Sequence, residues 1–371
     1  MFRPATTIGL ILIGLVSMPA IPLSAEDQKP FDTSYIAPDS FFTIVVRPAR
    51  LLNYVAKEKA ATLVETIRKE TSLDPRTMDE FIVDFGKFAE NKTPLNDDDH
   101  IAILARFTKP FDRDAFLNKF PGSKQPATHD GKEFYPGEGG SQPGLFIPND
   151  SSFVLAKNER LKQTMSQPHS MNTMVSRLRK AGRDYDLLMI ADVDSARTLI
   201  TDFLRMAAAA GLGEFKPGQY VEKVDAVKLR AKLSEDIPLT IDVDTINEEA
   251  ADEIKGVCAG LLLLGKTMWS GMREGLLDAD PDKEMAKMAV GVVDDLLAGT
   301  KIESKGAQVA IRVEKKGGFG DLVEFAAMGM FGVQRVEAKV EADVFDGPVP
   351  APVPDPPKAP KVPPKPVGPK R

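Results

Sequence analysis

Apolar residues recur along this chain at two spacings, first every second residue and then every third or fourth, in the same succession six times. Ile101, Ile103, Ala105 and Phe107 alternate with other residues, Pro110 and Asp112 interrupt, and Ala115, Phe116, Leu117 and Phe120 follow at helical spacing. Alternation marks a half-buried strand, and the longer spacing marks an amphipathic helix. The six strand-to-helix units are Phe42–Ile67, Ile101–Phe120, Phe153–Met165, Leu187–Met206, Leu239–Leu264 and Val309–Phe325. Three precede residue 170 and three follow it, with starts displaced by roughly 140–155 residues. Each half reads strand, helix, two strands, helix, two strands, helix. The pattern predicts an α+β fold of two similar halves, each a mostly antiparallel sheet with helices packed on one face.

Within the first half, Phe42, Ile44 and Val46 form one strand face, and Pro48 suits the first turn of the next helix. Met78–Gly86 is a further strand, Lys132–Ile147 reads as two short strands around a Gly/Pro loop, and Asn158 is placed to cap a helix. In the second half, Val227, Leu229 and Ala231 alternate with Lys228, Arg230 and Lys232, and Leu239, Ile241 and Val243 alternate with Thr240, Asp242 and Asp244. Both read as strands with one buried and one wet face. Asn247 caps a long helix whose apolar run, Val257–Leu264, reads as buried. Leu199–Ala210 is a helix, Lys305-Gly306 a turn between strands, and Arg335–Val344 the last strand, with Val336, Ala338 and Val340 alternating with Arg335, Glu337, Lys339 and Glu341.

The ends of the chain differ in kind from this body. Residues 1–25 read as a signal peptide: Arg3, a short apolar core at Ile8–Val16, and Leu23-Ser24-Ala25 before the cleavage point. That core is shorter than the roughly 20 apolar residues a bilayer needs, and a retained N-terminal anchor is the competing reading. Residues 26–39 are a linker, 40–182 and 183–346 the two α+β modules, and 347–371 a tail. The tail holds eleven prolines with Lys358, Lys361, Lys365, Lys370 and Arg371, a composition that favours disorder or extended polyproline II. Its cations suit anionic polymers of the cell envelope. The expected location is periplasmic or extracellular, with no transmembrane anchor after cleavage.

Charge narrows the partners further. Setting aside Arg3, and the tail's five basic residues against Asp355, turns the net −6 of the whole chain into −11 for the body. An acidic body argues against nucleic acid, which is held largely through cationic contacts to phosphate. One cysteine, Cys258, allows no internal disulfide, so the fold rests on its core.

Candidate chemistry thins out on inspection. Gly256-Val257-Cys258-Ala259-Gly260 has the spacing of a nucleophile elbow but falls inside a helical run, whereas that chemistry needs a strand-to-helix turn. His100, His129 and His169 lack metal-ligand spacing. Asp97-Asp98-Asp99 and Asp278-Ala279-Asp280-Pro281-Asp282 lack the calcium-loop pattern. Gly317-Gly318-Phe319-Gly320 lacks phosphate-loop spacing and is followed by Asp321, and Gly137–Gly144 reads as a loop. The methionines at 165–174 and 285–288 read as core. No residue set is therefore assigned as a catalytic, cofactor or metal site.

The export-type start, the unit AILARFTKPFDRDAFLNKF and the closing ADPDKEMAKMAVGVVDDLLAGTKIESKGAQVAIRVE resemble uncharacterised exported proteins of planctomycete-type bacteria with duplicated α+β modules. The resemblance covers about residues 40–345 and implies no activity. The leading reading is an exported, non-catalytic envelope binding or scaffold protein, with no cofactor. Two alternatives stay open. One is a hydrolase with dispersed carboxylates such as Asp242 and Asp244; the other is a carrier holding an apolar ligand between the sheet and the helix Asn247–Met272.

Overall fold

Alternating strands and amphipathic helices assemble here around one large antiparallel sheet. The computed structural model describes residues 33–54, 57–86, 99–139, 142–166, 173–197, 201, 218–232, 239–279 and 283–315. The expected signal segment, the helix Leu199–Ala210 apart from Thr201, the strand Arg335–Val344, the Gly317–Gly320 loop and the proline-rich tail lie outside these residues. In chain order the strands are β1 (Ser40–Val46), β2 (Met78–Gly86), β3 (Ile101–Phe107), β4 (Ala127–His129), β5 (Lys132–Phe134), β6 (Gly144–Asn149), β7 (Ser152–Ala156), β8 (Leu187–Asp192), β9 (Val224–Ala231), β10 (Leu239–Thr245), β11 (Thr300–Lys305) and β12 (Gln308–Val313). The helices are α1 (Pro48–Leu51), α2 (Lys57–Thr71), α3 (Arg113–Lys119), α4 (Asn158–Ser166), α5 (Thr173–Ala181), α6 (Gly218–Val221), α7 (Glu248–Ala279) and α8 (Lys283–Gly299).

Ten strands form the main sheet in the order β11-β12-β10-β9-β8-β1-β2-β3-β7-β6, and β4 pairs with β5 beside it. Read outward from the centre, the first half runs β1-β2-β3-β7-β6 and the second β8-β9-β10-β12-β11, so both follow the same order of first, second, third, fifth and fourth strand. Helix follows the first and the third strand in each half. The halves share one sheet rather than forming two. β1 and β8 pair antiparallel, with Phe42 opposite Ala191 and Val46 opposite Leu187, so no boundary falls at 182/183 in the hydrogen-bonded ladder.

Helices were expected on one face; they occupy both. Val45, Leu104, Val154, Leu188 and Ile190 pack with Leu161 and Met165 of α4 and Met174, Val175 and Leu178 of α5. The neighbours Ile44, Val46 and Leu187 point the other way, and pack with Leu51, Val64 of α2 and Leu296 of α8. The reason lies in the first half: β1, β2 and β3 carry apolar side chains on both faces, and each face must be covered. In the second half the described helices α7 and α8 stay on one side, where Ile254 and Ala251 meet Val243, Val309 and Ile302.

Local signals explain most boundaries. Asp112 Oδ1 accepts from Ala115 N at 3.0 Å and starts α3, and Asn247 Oδ1 accepts from Ala250 N at 2.8 Å and starts α7. Gly182, at φ +72°, stops the chain after α5, and Gly306, at φ +56°, makes the β11–β12 turn. Asn158 departs from expectation. Its side chain brackets the backbone of Gly137, accepting from the N–H at 2.9 Å and donating to the carbonyl at 3.2 Å. A loop peptide offered both a donor and an acceptor, a closer match to an amide than a helix end.

Candidate functional site

Three groups of polar or exposed side chains stand out against this frame. The first lies where the halves meet. Glu80 on β2 is 1% exposed and accepts from Arg183 at 2.7 Å, Arg106 at 2.9 Å and Arg47 at 3.2 Å. Its neighbour Asp79 accepts from Arg183 at 2.6 Å. The Arg47 guanidinium also sits 5.2 Å from the centre of the buried Tyr185 ring, whose hydroxyl is pushed well up from its ordinary pKa by burial. Three guanidinium groups on one carboxylate leave Glu80 nothing to offer a substrate. The cluster is a clamp.

Asp84, on the same strand, is fully buried and accepts from Ser40 Oγ at 2.6 Å, Thr43 Oγ1 at 3.0 Å and Arg160 at 3.1 Å. Burial pushes its carboxyl up, against the opposite pull of Arg160 and the two hydroxyls. Arg160 lies on α4 and also pairs with Asp39, so this group fastens α4 to the sheet. A side chain at Gly86 would place Cβ 2.4 Å from that guanidinium, which is why glycine is needed there.

The second group is the face of the second-half sheet turned away from α7 and α8, where Asp242 is buried. Ala226, Lys228 and Arg230 on β9 stand opposite Asp244, Asp242 and Thr240 on β10, which stand opposite Gln308, Ala310 and Arg312 on β12. Here lie Asp242 and Asp244, on one face as the alternation requires. Each carries its own cation: Asp242 meets Arg230 at 2.6 Å, and Asp244 meets Lys228 at 3.1 Å and Arg177 at 3.6 Å. Gln308 donates to Asp244 at 2.9 Å. Paired carboxylates serve as acid and base when one is held protonated in a cleft; these two are compensated on a sheet face.

The remaining sequence candidates scatter. Cys258 is half-buried within α7, with its thiol pushed up by burial, and no strand-to-helix turn surrounds it. His100 lies against Phe85, its ring centre 6.4 Å away, and His129 Nε2 is 2.7 Å from Ser166 Oγ. His169, Asp97 and Asp98 lie outside the described residues. Among the described residues no group of three His, Cys, Asp or Glu side chains is placed to hold a metal. Met165 and Met174 are fully buried core. An apolar hollow of about 100 Å³ lies under α2, lined by Pro48, Ile67, Leu73, Met78, Phe81 and Phe116. It is far smaller than the 300–1,000 Å³ of ordinary ligand pockets. It also does not adjoin α7, where a carrier's cavity was expected.

The third group was missed by the sequence reading. The apolar run Val257–Leu264 was expected to be buried, yet Leu261 is 52%, Leu263 67% and Leu264 47% exposed. Met268 and Met272 continue at 56% and 55%. The first turns of α7 press Ala250, Ala251 and Ile254 onto the sheet. Farther along, Trp269 Nε1 donates to Asp294 Oδ1 at 2.8 Å and Arg273 pairs with Asp294 at 3.0 Å, which holds α7 to α8. Leu261, Met268 and Met272 lie seven, fourteen and eighteen residues after Ile254, on the continuation of the face that meets the sheet, and are exposed. Val257, Gly260, Leu261, Leu264, Gly265, Met268, Gly271, Met272 and Gly275 follow at spacings of one, three and four and form a stripe with no charged residue. That spacing was the available signal. It was masked because one apolar face runs along α7, buried against the sheet at Ile254 and exposed from Leu261 onward.

No helix among the described residues is long and apolar enough to cross a membrane. No protein-family model matches the chain, and no curated protein matches it. Solved structures give a distant likeness. Crystal form I of TP0453 aligns at a TM-score of 0.35 and 10% identity, over 81% of this chain and 97% of that one. Crystal form III of the same protein aligns at 0.37 and 8%, over 82% and 99%. Likeness at this level carries no argument about site or activity. The chain is an α+β protein, and its described residues build a ten-stranded antiparallel sheet.

Proposed function

We propose that this is an exported, non-catalytic binding or scaffold protein of the cell envelope, docking a partner through the exposed apolar stripe of α7. The observation that carries the reading is the stripe of exposed large apolar side chains on that helix, Leu261, Leu264, Met268 and Met272. Contiguous exposed apolar surface marks an interaction site in a folded protein. The partner is a protein with an apolar groove and basic groups at one end. Its basic end matches Glu248, Glu249, Asp252 and Glu253, which are exposed on the first turns of α7. The acidic body disfavours an anionic bilayer as the occupant. Residues 1–25 supply the export signal, and the cationic tail adds attraction to anionic envelope polymers. The shared strand order of the two halves supports descent from one duplicated module.

The test is site-specific photo-cross-linking of the full chain in its own envelope, from position 268 and from the exposed control position Asn53. One discrete adduct from position 268, absent from position 53 and abolished by Leu264→Asp, is expected. Equal labelling from both positions, or indifference to Leu264→Asp, would overturn the docking surface. A cytoplasmic chain that keeps residues 1–25 would overturn export.

A further inference from the structure

The two edges of the sheet are finished differently. At one edge, Leu145 of β6 exchanges backbone hydrogen bonds with Tyr135 at 2.7 and 2.8 Å. At the other, β11 pairs with β12 on its inner side and with nothing among the described residues on its outer side. A hollow of about 430 Å³ opens against β11, lined by Lys255 and Ser304 on the α7 side and by Glu303, Lys305 and Arg312 on the other. An open edge is a template for one more strand.

The backbone phase and the side chains of β11 decide which strand fits. Glu314 N donates to Gly299 O at 3.0 Å, so odd-numbered residues turn their peptide groups inward to β12. Thr300, Ile302 and Ser304 therefore turn theirs outward. Ile302 joins the apolar cluster beneath α7, and Ser304 beside it donates to Asp252 at 2.9 Å. Lys301, Glu303 and Lys305 alternate with them and stand exposed on the other face.

We propose that β11 is a self-association edge, to which a second copy of this chain adds its own β11 antiparallel about a two-fold axis at Ile302. In that register Ile302 stands opposite its counterpart, Thr300 opposite Ser304, and Lys301 opposite Glu303. The outward-facing residues then exchange about six backbone hydrogen bonds. Every charged pair on one face is unlike in sign, and the other face gains an apolar contact at the axis. Within their own chain Lys301 and Glu303 already pair with Glu314 and Arg312, at 2.6 and 2.8 Å, so the two-fold joins these pairs into one row. Moving the axis to Glu303 sets that carboxylate against itself and Lys301 against Lys305. Moving it to Ser304 sets Ile302 against Gly306 and loses the apolar contact. The arrangement also closes: both open edges are consumed, and no third copy can add there. This edge is distinct from the exposed stripe of α7, and the inference does not rest on the docking reading.

The experiment is sedimentation velocity on the full chain as wild type, Glu303→Lys and Lys301→Glu, each alone and the two variants mixed. The wild type should dimerise as concentration rises. Each variant sets like charges opposite each other on both sides of the axis and should weaken dimerisation at least about tenfold. The equimolar mixture restores unlike pairs and should dimerise as the wild type does. A monomeric wild type, a Lys301→Glu variant that dimerises undiminished, or a mixture that stays monomeric would overturn the proposal. Register is read separately in a Cys258→Ser background. Mild oxidation should link Ile302→Cys into disulfide dimers and leave Glu303→Cys largely unlinked, because only position 302 meets its counterpart within disulfide reach. Equal linking, or the reverse order, would overturn the axis at Ile302.

Discussion

Arg183 donates to Oε1 of Glu80 at 2.7 Å and ties the segment entering β8 to the middle of β2. One hydrogen-bonded ion pair thus spans the two halves of the sheet, beside the β1–β8 ladder that joins them. Arg47 and Arg106 complete the clamp from β1's end and from β3.

Removing the acceptor at the centre of that clamp leaves buried guanidinium groups without compensation. Glu80→Ala should lower the unfolding free energy by about 3–5 kcal/mol. Urea denaturation would show this as a large fall in midpoint. A loss under about 1 kcal/mol would mean that the arginines find solvent or other partners.

Asp84 makes stability depend on pH with an unusual sign. Its carboxyl is pushed up in the folded protein, so above about pH 4 the folded state holds more of its proton than the unfolded chain. Its contribution is fully present below about pH 4 and is lost as pH rises through the folded value. Asp84→Asn cannot ionise. Unfolding free energies from pH 4 to 7 should therefore fall for the wild type relative to this variant, and parallel curves would contradict the raised carboxyl.

The two stretches of α7 should answer mutation in opposite ways. Ile254→Ala, at a 5% exposed position against the sheet, should cost about 2–5 kcal/mol. Leu264→Asp, at a 47% exposed position, should change stability by no more than about 0.5 kcal/mol. Thermal melts of the two variants decide it. A strong loss from Leu264→Asp would place that side chain in a packed interface within the chain.

Cys258 should be slow to alkylate. Only the thiolate reacts, and burial pushes the thiol up. Iodoacetamide labelling at pH 8 should run at least tenfold faster in urea than in buffer. Equal rates would show that the thiol is open and of ordinary acidity.

Several elements were legible before any tertiary contact was known, because they depend on neighbours in sequence. The alternation at Ile101–Phe107, the caps at Asp112 and Asn247 and the turn at Gly306 each state a local preference, and each holds. Asn158 shows the limit: its amide suited a helix cap, but the peptide of Gly137, brought close by the fold, bound it instead.

The sequence by itself determined the class of fold, most of the described strands and helices though not β4 or α6, and which strand positions share a face, since periodicities of two and 3.6 follow from backbone geometry alone. Only the tertiary structure decided that the two halves share one sheet, because β1 meets β8 across 140 residues of chain that no local pattern spans. It also decided that Leu264 and Met268 face outward. Their hydrophobicity demands a partner, but whether the partner is the protein's own sheet or another surface depends on where α7 leaves that sheet, and the chain is apolar either way.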